Sequence, residues 1–197
     1  FLAALLIFSC KKGKADITLK GTISDTTFST AHSGASVKLY ENIAGGAGIN
    51  LLGTSTIGND GSYSFTFPRN QAESYSLIVQ KNLYFEINEL IYLSSLTIEE
   101  DNIRNYSTSA KSWAKLHFVS ISSQYLTYIK QNGKQNCEEC CSSEEQSLSG
   151  IIDTNIYCIN DGNTVYSYFY SVVGAGINGN RSGLTTAFDT VEILLNY

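Results

Sequence analysis

Ile57-Gly58-Asn59-Asp60-Gly61-Ser62-Tyr63-Ser64-Phe65-Thr66-Phe67-Pro68 is the stretch from which the fold can be read. Tyr63, Phe65 and Phe67 alternate with Ser62, Ser64 and Thr66, the period-two pattern of a strand that buries one face. Asn59-Asp60-Gly61 ahead of them is a turn signal, because glycine takes the positive φ of a type I′ turn without steric cost; a hairpin is expected here. Pro68, the chain's single proline, closes the run, since it has no N–H to give to a ladder.

The same pattern continues outward. Ile17, Leu19, Gly21 and Ile23 alternate with Thr18, Lys20 and Thr22. Ala35, Val37 and Leu39 mark a second strand, after a Thr- and Ser-rich loop over Asp25 to Ser33. Glycines 45, 46 and 48 mark a loop before a strand over Leu51 to Ile57. After Pro68, Tyr75, Leu77 and Val79, then Leu83, Phe85 and Ile87, read as two more strands.

Four pieces together resemble a known pattern: Gly21-Thr22-Ile23-Ser24-Asp25, Gly34-Ala35-Ser36-Val37-Lys38-Leu39-Tyr40, Leu52-Gly53-Thr54 and Asp60-Gly61-Ser62-Tyr63-Ser64-Phe65. They resemble the transthyretin-like β-sandwich (carboxypeptidase regulatory or Cna-B type). The resemblance implies a seven-strand sandwich of roughly immunoglobulin shape, used as a spacer, adhesion or binding module. Its motifs are structural and bring no catalytic residue.

The second half begins with the alternating run Trp113 to Ile121, followed by Leu126 to Lys130. Gln131 to Gln146 reads as a polar, cysteine-rich loop, and Leu148, Gly150 and Ile152 resume a strand reaching Cys158. Asp161-Gly162-Asn163 is a second hairpin signal. Thr164 to Val173 is a strand with Tyr166, Tyr168 and Tyr170 on one face and Val165, Phe169 and Val173 on the other. Gly174 to Gly183 reads as a loop, and Val191 to Tyr197 as the last strand. No stretch of twelve or more residues has helical periodicity. The expectation is an all-β chain of two β-sandwich modules in tandem, the first over 16–96 and a second β-rich unit with a disulfide loop over 112–197. Residues 97–111 are expected to connect them.

Residues 1–9 are read separately. Phe1 to Phe8 is an uncharged apolar run, too short for the ~20 residues of a membrane span and suited to the h-region of a signal peptide whose start is missing. Leu6-Ile7-Phe8-Ser9-Cys10 resembles the lipobox of bacterial lipoproteins, and Lys11-Lys12 after it resembles those of the Bacteroidetes type. The resemblance implies cleavage before Cys10, lipidation of Cys10 and a short tether over 10–15. It implies a cell-envelope protein, anchored to the outer membrane of a Gram-negative bacterium and facing the periplasm or the exterior.

Composition agrees with an extracytoplasmic β protein: 43% apolar residues, 12% aromatic and only 16% charged. A net charge of −5 and the absence of a basic stripe speak against nucleic acid as a partner. With Cys10 assigned to the lipid, Cys137, Cys140, Cys141 and Cys158 remain, an even set that in an exported protein reads as two disulfides. Adjacent cysteines rarely bridge each other, which leaves Cys137–Cys140 with Cys141–Cys158, or Cys137–Cys141 with Cys140–Cys158.

Other constellations are weak. Cys137-Glu138-Glu139-Cys140 lacks the positive surroundings of a redox thiolate and the second pair of a zinc site. Gly174-Ala175-Gly176-Ile177-Asn178-Gly179 fits G-x-G-x-x-G but leads into a β pattern, not the helix a dinucleotide needs. The acidic groups at 99–101 and 138–145 fit no calcium loop. His32 and His117, the only histidines, have no nucleophile motif around them; no catalytic residue, metal or cofactor is assigned. The primary expectation is a non-catalytic binding or structural accessory of the envelope, with a glycan or another envelope protein as partner. The alternative is a carbohydrate binder using Tyr166, Tyr168 and Tyr170 as an aromatic platform, with Trp113 as a further contact; against it stands simple cross-strand packing of those rings.

Overall fold

The computed structural model describes residues 16–46, 48–70, 72–98 and 100–197. The apolar terminus, Cys10, the tether and Glu99 of the acidic run lie outside them. The described chain is all-β.

Two sheets make the first sandwich. In one, β1 (Asp16–Asp25) is flanked by β5 (Ser62–Pro68) and by the two-residue β2 (Thr30–Ala31). In the other, the order is β4 (Ile49–Thr56), β3 (Ser36–Ile43), β6 (Ala72–Gln80), β7 (Ile87–Tyr92). The period-two apolar residues meet between them: Ile17, Leu19, Val37, Leu39, Leu77 and Val79 are all buried, with Tyr63 and Phe67 completing the core.

The Asp60-Gly61 signal is a turn but not a hairpin. Gly61 has the expected positive φ of 79°, and its N–H donates to Gly58 O at 3.1 Å. The Asp60 carboxylate accepts from the Ser62 N–H at 3.0 Å, which locks the corner. Yet β4 pairs with β3 and β5 pairs with β1, so the turn carries the chain from one sheet to the other. Local turn chemistry specifies the reversal; burying both Ile57 and Tyr63 decides that it spans the core.

The segment expected as a connector is partly sheet. β8 (Asp101–Ile103) and β9 (Tyr106–Thr108) add in parallel to the free edge of β1. Between them the backbone of Arg104 crosses over Gly21: Arg104 N–H donates to Lys20 O at 2.9 Å, and Arg104 O accepts the Tyr63 hydroxyl at 2.8 Å. A Cβ on Gly21 would fall within the Arg104 carbonyl. This is a glycine required by close backbone approach.

The second sandwich is one sheet folded on itself. β10 (Lys111–Asn132) pairs along its length with β11 (Gln146–Asp161), and the register shifts between Ser120 and Gln124. That bulge divides the ribbon into two leaves. In the first, residues 111–120 of β10 pair in parallel with β14 (Thr190–Asn196). In the second, residues 125–132 pair with β12 (Thr164–Val173), which pairs in turn with β13 (Ile177–Thr185). Ala114, Leu116, Phe118, Ile193 and Leu195 of one leaf face Leu126, Tyr166, Tyr168 and Val172 of the other. Phe118 touches Tyr128 and Tyr168 at centroid distances of 4.9 and 5.6 Å.

Two expectations are corrected here. Asp161-Gly162-Asn163 is not a hairpin turn, because β11 and β12 pair with opposite edges of β10. Most of the glycine-rich stretch is strand: only Gly174 and Gly176 take positive φ, and β13 runs from Ile177. Its Gly179 and Gly183 pair with Tyr170 and Tyr166 on the inner face; the absent Cβ leaves room for the Tyr170 ring at Gly179 and for the Ile193 side chain at Gly183.

Between β10 and β11 the long loop is tied down by Cys137–Cys140 and Cys141–Cys158, the first of the two pairings left open by the sequence. It also holds the ammonium of buried Lys130, which donates to the carbonyls of Lys134, Cys140 and Cys141 at 2.9, 3.0 and 2.8 Å. Three carbonyls replace water, and burial still lowers the Lys130 pKa.

Gly21→Ala tests the β1 crossing. Forcing the Arg104 backbone away should cost about 1–3 kcal/mol. A thermal melt should show the midpoint lower by roughly 2–4 °C per kcal/mol; an unchanged midpoint would mean the crossing is looser than described.

Candidate functional site

The two modules meet along Ser109, Ala110 and Lys111, and a cavity lies there. Ala110 is fully buried, its N–H donating to Thr27 Oγ1 at 2.8 Å and its carbonyl accepting from Gly162 N–H at 2.7 Å. Leu83 to Phe85, expected as the start of a strand, instead form a turn with a single bridge from Tyr84 to Ala110, and the strand begins at Ile87. This turn is stitched to the same segment: Lys111 N–H donates to Leu83 O, and Phe85 N–H to Ser109 O. Backbone polarity is thus satisfied across the junction, as buried strands require.

The groove beside this seam has a volume of about 720 Å³ and takes its walls from both modules. Asp161 organises it. One carboxylate oxygen accepts from the Lys134 ammonium at 2.7 Å and from the Ser109 hydroxyl. The Lys134 ammonium also lies 4.0 Å from the centroid of the Phe85 ring, and that of Lys111 lies 5.5 Å from it. Thr26, Thr27, Ser107, Thr108 and Thr164 add hydroxyls, and Asn136 an amide. Nearby, Asn160, Ser112 and Thr185 form a fully buried network: Asn160 Nδ2 donates to Thr185 Oγ1 at 2.9 Å, and Asn160 Oδ1 accepts from Lys134 N–H at 2.8 Å. Such a satisfied network holds the wall rigid.

On the other side of the seam Tyr84 is the pivot. Its hydroxyl donates to Asp25 Oδ2 at 2.7 Å, while Asp25 Oδ1 accepts from Thr27 N–H at 2.8 Å. Its ring packs on His32 at 4.5 Å and on Phe188 of the second module at 5.4 Å, and the Lys81 ammonium lies 4.7 Å from it. Burial, then the Asp25 hydrogen bond, pushes the Tyr84 phenol up to about 12. His32 is buried, with no partner for Nδ1, and its pKa is lowered by burial and by Lys81.

The residues singled out by sequence fall elsewhere. Tyr166, Tyr168 and Tyr170 are 1%, 0% and 8% exposed, so they are core and form no platform. Trp113 is half-buried on the outer face of the first leaf, opposite to the face on which the tyrosines lie. His117 is on that outer face, clamped by two carboxylates: Nε2 is 2.7 Å from Asp153 and Nδ1 is 2.6 Å from Glu192. The hydrogen bonds to Asp153 and then Glu192 raise its pKa, and Lys115 holds the same Glu192 oxygen at 3.1 Å. Among the described residues no set of three or more His, Cys, Asp or Glu converges as metal ligands.

Phe85, Asp161, Lys134 and Lys130 were not singled out. Lys130 carried a signal, being in inward register with Leu126 and Tyr128. In the sequence Asp161 reads only as part of a turn.

No family model and no curated protein matches the chain. Among solved structures it is similar to the Bacillus anthracis TIE protein (TM-score 0.41, 11% identity, covering 92% of this chain and 34% of that one). It is also similar to the shaft pilin spaA of Lactobacillus rhamnosus GG (0.38, 10%, 92% and 97%) and to GBS52, the minor pilin of Streptococcus agalactiae (0.36, 11%, 91% and 94%). Likeness at this level does not extend to function.

The two histidines make stability depend on pH in opposite senses. His32 has a folded pKa below its unfolded value near 6.5, so the unfolded state binds the extra proton and stability is lost as pH falls from about 6.5 toward the lowered value. His117 has a raised folded pKa, so its contribution is complete below about 6.5 and is lost as pH rises through the raised value. Urea unfolding from pH 5 to 8.5 should therefore show His32→Leu flattening the acid side of the stability profile and His117→Gln flattening the neutral-to-alkaline side. The reverse assignment, or no change in either limb, would contradict these environments.

Proposed function

We propose that this chain is a lipid-anchored, non-catalytic module of the bacterial envelope that acts as a binding or structural accessory, with the junction groove as its recognition surface. The observation that carries the export part is cysteine usage: four cysteines in two bridges, with Cys10 left over directly behind an apolar run and a serine. The non-catalytic part is supported by the histidines, one buried with its pKa lowered, the other engaged at both ring nitrogens by carboxylates. The groove supports the binding part: it lies where two modules meet, its size is that of small-ligand sites, and Lys134 and Ser109 converge on the Asp161 carboxylate within it.

Carbohydrate is the ligand class the lining favours. Hydroxyls, an amide and a carboxylate offer paired donors and acceptors to sugar hydroxyls, and Phe85 offers an apolar ring. This reading relocates the alternative from the buried tyrosines to the groove.

Phase partition of cells expressing the tagged chain tests the anchor. The wild type should enter the detergent phase with a diacylated Cys10, and Cys10→Ser should leave it; an unmodified Cys10 in the wild type would remove the anchor. Titration with an oligosaccharide panel, followed by NMR, tests the groove. Shifts should centre on Phe85 and Asn136 and weaken about tenfold or more in Asp161→Ala, which breaks a charged hydrogen bond; shifts confined to other surfaces would remove the groove from the proposal.

A further inference from the structure

The outer faces of the second sandwich are chemically unlike each other. That of the first leaf is charged: Lys115, His117, Asp153 and Glu192 form one linked network. On the outer face of the second leaf, the described side chains of β10, β12 and β13 include no Asp, Glu, Lys, Arg or His. Register places Tyr125 beside Val173, Ile129 beside Phe169 and Val165 beside Leu184, with serine, threonine and asparagine between them. Tyr125, Val165, Phe169, Val173 and Leu184 are 46%, 42%, 37%, 56% and 60% exposed, more apolar area than a solvated sheet face needs.

From these observations we propose that the chain forms a symmetric dimer by packing this face against the same face of a second copy. Charge decides the occupant. Across a two-fold axis each side chain near the centre meets its own equivalent, so any ionised group there would repel itself. A face without ionised groups, in a chain of net charge −5, is the one on which two copies meet without that penalty. A membrane surface fits less well, since the face has neither the Lys and Arg that attract anionic headgroups nor a Trp at its rim. Sheets stacking face to face interdigitate such alternating aromatic and β-branched rows about 10 Å apart. The face measures roughly 30 Å by 15–20 Å from strand length and spacing, the lower end of interfaces that hold specific dimers. Association in the range of about 10–100 μM is expected for that size. The groove and the Lys115–Glu192 face remain open in this arrangement.

Sedimentation velocity of the full chain from about 1 to 200 μM tests it. The wild type should pass from monomer to dimer. Phe169→Lys and, separately, Val173→Lys should weaken association at least tenfold, with folding checked by circular dichroism, while Lys115→Ala on the opposite leaf should leave it unchanged. A chain that stays monomeric overturns the proposal. So does association that both lysine variants leave intact, which would place the contact elsewhere, the apolar terminus included. Flotation with neutral phosphatidylcholine vesicles that the wild type joins and Phe169→Lys does not, without dimerisation in solution, would assign the face to a membrane instead.

Discussion

The bend in β10 is the constraint on which the second module depends. A straight strand of 22 residues would reach about 70 Å, far beyond any partner that could cover its apolar side. The strand alternates inward and outward residues on both sides of the Ser120–Gln124 bulge, so it has an apolar face to bury along nearly its whole length. Among the described strands the next longest is β11, with 16 residues, so the ribbon that the two form covers itself. The bulge lets the ribbon fold, and burial of the ribbon against itself makes the two leaves. Parallel addition of β14 to one leaf, and of β12 and β13 to the other, extends each leaf around that first fold.

Other features follow from the same bend. It brings the loop after β10 back beside the end of β11, so that Cys141 reaches Cys158 and Lys134 reaches Asp161. Lys130 is enclosed by that returning loop, and its three carbonyl partners are the means by which a cation tolerates the site. The junction groove therefore owes one wall to a bulge many residues away. The other wall comes from the first sandwich, where β8 and β9 carry the chain along β1 to Ser109.

Much of the strand content was legible because its signal is local. Alternation in Ile17–Ile23, Val37–Leu39, Tyr63–Phe67 and Trp113–Val119 needs only neighbouring residues to be read, and each run is a strand. The turn at Asp60-Gly61 was legible for the same reason, through the positive φ of Gly61. Pairing was not: both Asp-Gly turns look like hairpins in sequence and both join strands that do not pair. A turn signal states that the chain reverses, whereas the partner of each strand is set by burial over distances that no dipeptide encodes.

The sequence by itself determined an all-β chain, the positions of its main strands, an even set of bridging cysteines and an alternation that gives β12 two unlike faces. Only the tertiary structure decided which face of β12 is inside. Three tyrosines and a Val–Phe–Val row are both plausible cores. The tyrosines are buried because Phe118 stands across from Tyr168, Gly179 of β13 leaves space beside the Tyr170 ring, and Gly183 lets Ile193 of the facing leaf approach. The candidate site was hidden for a related reason: Phe85, Ser109, Lys134 and Asp161 are far apart in the chain and ordinary in composition, and only the packing of two modules makes them neighbours.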